Sequence, residues 1–134
     1  MRVVFDTKAL IAAFLTEGVC SKLIVRARRR EFELFLSDDI ILEFERNLRR
    51  KFAFSPSEIK DARGILLEAS GKIVQKIGPI MPVRRDPEDD KILACAKQTE
   101  ADYLVTGDQD LLVIDPYGRT RIVTPRNFEN IFED

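Results

Sequence analysis

Histidine is absent from the 134 residues. That absence removes Ser-His-Asp and Cys-His nucleophilic catalysis, histidine acid-base chemistry and the commonest transition-metal ligand. Cysteine is scarce: Cys20 and Cys95 lie far apart and form no C-x-x-C pair, which argues against a thiolate zinc site or a dithiol redox motif and for two reduced thiols. No apolar run approaches the roughly 18 residues that cross a bilayer. Asp6 interrupts the first apolar run too early for a signal peptide, so a cytoplasmic protein without a membrane partner is expected. There is no G-x-G-x-x-G for a dinucleotide, no internal repeat, no low-complexity tract and no linker. Enzyme chemistry in such a chain must rest on carboxylates, lysine, tyrosine, hydroxyls or a hard metal ion.

What is present is a globular composition, 45% hydrophobic and 34% charged, with a length that suits one domain over residues 1–134. The 22 basic and 23 acidic residues nearly cancel, so position matters more than net charge. "RVVF" (2–5) reads as a strand stopped by Asp6, with "KALIAAFL" (8–15) helical after it. A helix over 21–31, a strand over 32–37 and an amphipathic helix over 38–52 follow, the last with Ile41, Phe44, Leu48 and Phe52 at helical spacing. Ser55-Pro56-Ser57-Glu58 forms a capping box for a helix running to about Gly71. Residues 72–77 extend that helix or form a strand, and 78–82 are loop or strand edge. Asp86-Pro87 repeats the start signal for a helix to about Thr99. Strands are expected at 102–105 and 120–123, and a last helix at Thr124-Pro125. Alternating strands and helices predict an α/β layered fold with a mostly parallel central sheet flanked by helices.

Ligands of open α/β sheets bind beyond the carboxyl ends of the strands. Asp6 follows the first strand and Asp108 follows "YLV", while the first-turn acids of the 86–99 helix start from the same edge. Carboxylates converging in one cleft repel unless a cation or protons compensate. An all-oxygen set favours Mg²⁺ or Mn²⁺, the ions of phosphodiester cleavage. Each acid also has a plainer role: Asp6 as a turn or cap, "DPEDD" as a solvated cap at the positive end of a helix dipole, Glu43 as an exposed helical residue. Periodicity does not separate Glu43 from Glu45, nor Asp89 from Asp90. Two basic stretches, 26–30 and 46–51, suit a phosphate backbone or two solvated helix ends.

Taken in order, "VVFDTKALIAAF", "LSDDIILEFERNL", "RDPEDDKILACA", "DYLVTGDQDLL" and "RIVTPRNF" resemble the PIN-domain ribonucleases, above all the VapC-like toxin components of toxin–antitoxin pairs. The resemblance implies a three-layer PIN-like fold and a Mg²⁺- or Mn²⁺-dependent endoribonuclease. It matches the family's acids to Asp6, Glu43, Asp90 and Asp108, with Asp6, Asp90 and Asp108 on the metal. Asp90 is chosen because it directly precedes "KILACA" and lies 18 residues before Asp108, as the family pattern expects. Asp110 is implied as an auxiliary acid, and Thr106 and Thr7 as hydroxyls near the site. The implied partners are RNA, a cognate antitoxin and a second copy of the chain. One position departs: Lys8 stands where relatives carry Asn or a small polar residue. That lysine motivates a rival expectation, a PIN-like module that binds RNA or protein without cutting. A phosphatase of the haloacid-dehalogenase type would want an acid at position 8, and a receiver domain an acid pair ahead of its phosphorylated Asp; neither pattern is met.

Overall fold

The computed structural model describes residues 1–74 and 87–132. Strand β1 (Arg2–Phe5) is three-quarters buried, as its Val-Val-Phe run requires, and it ends where Asp6 begins helix α1 (Thr7–Leu15). The side chain of Asp6 accepts the Ala9 N–H at 2.8 Å, so one residue both ends the strand and caps the helix. Helix α2 (Val19–Arg28) leads to strand β2 (Glu33–Ser37), and helix α3 (Asp38–Phe52) follows without a gap because Ser37 accepts the Ile40 N–H. Helix α4 (Pro56–Ala69) starts on the expected Ser55/Glu58 capping box. Beyond it come strand β3 (Ser70–Val74), helix α5 (Pro87–Gln98) and strand β4 (Tyr103–Val105). The short helix α6 (Gln109–Leu112), strand β5 (Arg121–Val123) and helix α7 (Pro125–Glu129) complete the order.

The five strands pair in parallel in the order β3-β2-β1-β4-β5. The chain builds outward from β1 through β2 to β3, then returns to the other side of β1 for β4 and β5. The topological switch therefore lies between β1 and β4, where a crevice opens at the strands' carboxyl ends. The helices flank this parallel sheet, giving the expected α/β layered fold. Its core joins Phe5, Phe32 and Phe128 with Val3, Leu10, Leu23 and Leu34. Phe5 stacks on Phe32, and Phe128 meets both rings edge-on, which ties α7 back against β1.

Three local expectations are corrected. The 56-onward helix stops at Ala69, two residues short of Gly71, and of the two alternatives for the segment after it the strand holds, starting at Ser70, because β2 offers a parallel partner that local periodicity does not reveal. Gly71 is the extra residue where the β2–β3 register shifts; a Cβ there would come within 3.4 Å of Glu33 Cβ. Helix α2 begins earlier and ends earlier than the 21–31 window. Arg30 leaves it in the left-handed region (φ 60), and its guanidinium donates to the carbonyls of Ala69 at 2.8 Å and Glu68 at 3.0 Å. Helix α6 was not expected: it has four residues, too few for a periodic signal. The expected cap Asp86 and the 78–82 segment lie outside the described residues.

Candidate active site

Asp6 sits at the switch point, 3% exposed, with its amide N–H donating to the Val105 carbonyl of β4 at 3.0 Å. Its Oδ1 accepts from Ala9, and its Oδ2 accepts a short hydrogen bond from the fully buried Thr106 hydroxyl. Thr106 Oγ1 in turn accepts the Asp108 N–H at 3.0 Å, and Asp108 Oδ1 accepts the Asp110 N–H at 2.9 Å. A chain of hydrogen bonds thus runs from the end of β1 to the start of α6. It fixes Asp108 as the cap of α6 and Asp6 as the cap of α1.

Burial pushes the Asp6 carboxyl up, and the charge of Asp108 adds to the rise; the Thr106 hydroxyl, the Ala9 amide and the Lys8 ammonium act against it. The two acids are therefore close enough to repel. Cys20 also feels Asp6, and burial with that negative charge pushes its thiol up. Cys95 is pushed up to about 11, chiefly by burial. Both cysteines are free and neither is an activated nucleophile.

Asp6 and Asp108 open into a cleft of about 290 Å³ whose wall also carries Glu43, Glu88, Asp89 and Lys8. Its far side is a stripe of α3 in which Glu43, Asn47 and Lys51 follow one another at four-residue spacing, beside the buried stripe of Ile40, Phe44 and Leu48. The structure separates the two α3 glutamates that periodicity could not. Glu43 reaches the cleft and accepts from Arg46 Nη1 at 2.9 Å, whereas Glu45 forms a short ion pair with Arg63 of α4. Of the two α5 acids, Asp89 forms part of the cleft wall; Asp90, one position on and equally buried at 8% exposure, does not. Thr7 lines the cleft from the first turn of α1.

Asn47 and Lys51 carry no motif of their own. Their sequence signals are the four-residue offset from Glu43 and a place in the 46–51 basic stretch. The first basic stretch is largely structural. Arg26 makes a two-pronged pair with Glu129, another with Glu31, and lies 4.4 Å over the Phe132 ring. Arg28 pairs with Glu68, and Arg30 holds the end of α4. The second stretch is the one that meets the cleft, through Lys51.

The donor chemistry suits a hard divalent ion: all-oxygen ligands, no thiolate or imidazole, and a buried carboxylate whose charge is opposed by burial and by a neighbouring acid. Among the described residues, no three acids or thiols are already gathered into a coordination group, so binding an ion would draw the carboxylates together. No helix among the described residues is long and apolar enough to cross a membrane.

A family model for the PIN domain matches residues 2–110, from the first residue of β1 to the second of α6, a span that contains every residue of this cleft. No curated protein matches the chain.

Proposed function

We propose that this chain, which belongs to the PIN-domain family, is a Mg²⁺- or Mn²⁺-dependent endoribonuclease that hydrolyses single-stranded RNA. The observation that carries the reading is the junction of Asp6 and Asp108 through Thr106 at the β1–β4 switch, with Glu43 facing them across the cleft. PIN domains are in general nucleases that act on nucleic acid, which supports reading the cleft as a hydrolase site.

By the family resemblance Asp6, Asp108 and Asp90 would hold the ion, Asp90 standing 18 residues before Asp108 as the family pattern expects. When bound, the ion supplies charge for the developing negative oxygens and lowers the pKa of water. Glu43, held by Arg46 at the rim, orients the attacking water and accepts its proton. Lys8 and Lys51 bring the phosphodiester to the cleft as cations. Attack on phosphorus opposite the 3′ oxygen leaves 5′-phosphate and 3′-hydroxyl ends. Asp89 and Glu88 shape the acidic wall, and Asp110 anchors Asp108 through its amide.

By the same resemblance, the biological setting is a cytoplasmic toxin, homodimeric, silenced by an antitoxin whose tail covers the cleft. A small neighbouring gene whose product co-purifies would support that setting; an isolated gene with no growth defect on overexpression would oppose it. Cleavage of single-stranded RNA by the purified chain tests the activity: it should require Mn²⁺ or Mg²⁺ and be lost in Asp6→Asn. Equal cleavage in EDTA would refute it.

Lys8 favours a second reading, a binding module without catalysis, because its ammonium stands in the cleft and acts directly on Asp6. Calorimetry separates the two: no Mn²⁺ binding with RNA affinity intact would support the module.

A further inference from the structure

Beside the acidic cleft lies a second recess of about 310 Å³ between α1 and α3. Its apolar surface comes from Ile11, Leu15 and Phe52, and it shares Lys8, Asn47 and Lys51 with the cleft. The two recesses are therefore one continuous depression, in which acids, then cations, then apolar groups succeed one another. Two features of this part bear on a ligand. Phe52 is 44% exposed and Leu15 39% exposed, so both present apolar surface to the recess. Asn47 is 9% exposed, yet its side-chain amide makes no hydrogen bond to any described residue. A buried amide with two donors and an acceptor and no partner is costly unless something else satisfies it.

We propose that this groove is a nucleobase subsite, which seats an unpaired RNA base on Phe52 and Leu15 while Lys8 and Lys51 hold the adjoining phosphate. The inference rests on nucleic acid being the substrate of the acidic cleft. The order of groups along the depression matches the order along a nucleotide: a reacting phosphodiester at the acids, a flanking phosphate at the lysines, a flat apolar base beyond them. Aromatic side chains beside a cationic track are the recurring way to hold single strands, because every base has a stacking face. Asn47, at the boundary, meets the base edge or ribose with a donor and an acceptor. Double-stranded nucleic acid keeps its bases paired and stacked, so the groove selects single strands.

Fluorescence anisotropy with the full chain in EDTA tests this without cleavage, using a labelled hexauridylate and a base-free ribose-phosphate oligomer of equal length. Phe52→Ala should weaken hexauridylate binding roughly 5- to 100-fold, and Phe52→Tyr should retain it. The wild type should bind the base-free oligomer as weakly as Phe52→Ala binds hexauridylate, and that variant should gain nothing from the bases. Phe52 is exposed, so the variant should fold, which circular dichroism checks. Unchanged affinity in Phe52→Ala, equal affinity of the wild type for both oligomers, or no oligonucleotide binding at all would overturn the inference. In the first of these cases the groove would answer to another partner, such as a peptide. Base-dependent binding without cutting in Mn²⁺ would defeat only the nuclease reading; cutting with a silent Phe52→Ala would defeat only the subsite.

Discussion

The Thr106 hydroxyl donates to Asp6 across the β1–β4 junction while accepting the amide of Asp108, so a single buried side chain sets the relation of the two acids. Removing it while keeping the shape isolates that role. Thr106→Val should lose about 1–3 kcal/mol of stability, because a buried amide loses its acceptor and a buried carboxylate its donor. Asp6 would then be harder to ionise, and Mn²⁺ affinity should fall roughly 10- to 100-fold, the usual cost of losing a group that orients a ligand. Thr106→Ser should stay near wild type. Denaturant unfolding and calorimetry read the two effects separately.

The first turn of α5 holds Glu88, Asp89 and Asp90, and substitution decides between the last two. Asp90→Asn should lower RNA cleavage at least about 100-fold, as expected for loss of a group that stabilises charge in the transition state. Asp89→Asn should cost less, since that residue shapes the cleft wall. The opposite order, measured with folded variants, would move the ligand role one position back to Asp89, the acid that the wall presents.

Lys8 should weaken the ion and assist the substrate. Its charge favours the ionised form of Asp6, but it also opposes a divalent cation bound beside it. Lys8→Asn should therefore raise Mn²⁺ affinity by a few-fold, about 1 kcal/mol for an exposed charge at short range, and raise the KM for RNA. A fall in Mn²⁺ affinity would contradict this account.

How much of this was legible beforehand depended on whether a signal was local. Asp6 and Asp108 are readable because each closely follows a short apolar strand, and strand ends define the sheet edge. The capping box at Ser55 was readable for the same reason. Glu43 and Glu45 were not separable, because what distinguishes them is Arg63, on the next helix. Arg26 has the local signature of a phosphate contact or a solvated helix end, and its actual partner, Glu129, lies 103 residues away. Strand β3 reads locally as helix end or strand alike, because its identity comes from β2. Residues whose role is set by a distant partner stayed ambiguous.

Two acids outside the cleft set an acid limit to stability. Asp102 accepts the Arg2 N–H at 2.8 Å and a bond from Arg119; the backbone bond, then the guanidinium, holds its carboxyl below the usual range. Asp115 is held low by Arg121 and the Ile122 amide. Since both folded-state pKa values are depressed, their contribution is complete above the ordinary value of about 4 and is lost as pH falls through the folded values. Asp102→Asn and Asp115→Asn should each be less stable than wild type at neutral pH, with the gap closing on acidification. A gap that stayed constant in urea unfolding down to acid pH would refute the assignment.

The central claim is that the acids at the β1–β4 switch cut RNA with the help of a divalent ion. The most direct measurement is the rate of single-stranded RNA cleavage against Mn²⁺ concentration, for wild type and Asp6→Asn. The account predicts a saturable rise from a negligible rate in EDTA, products with 5′-phosphate and 3′-hydroxyl ends, and a rate at least about 100-fold lower in Asp6→Asn. A rate independent of Mn²⁺, or equal in Asp6→Asn, would contradict it.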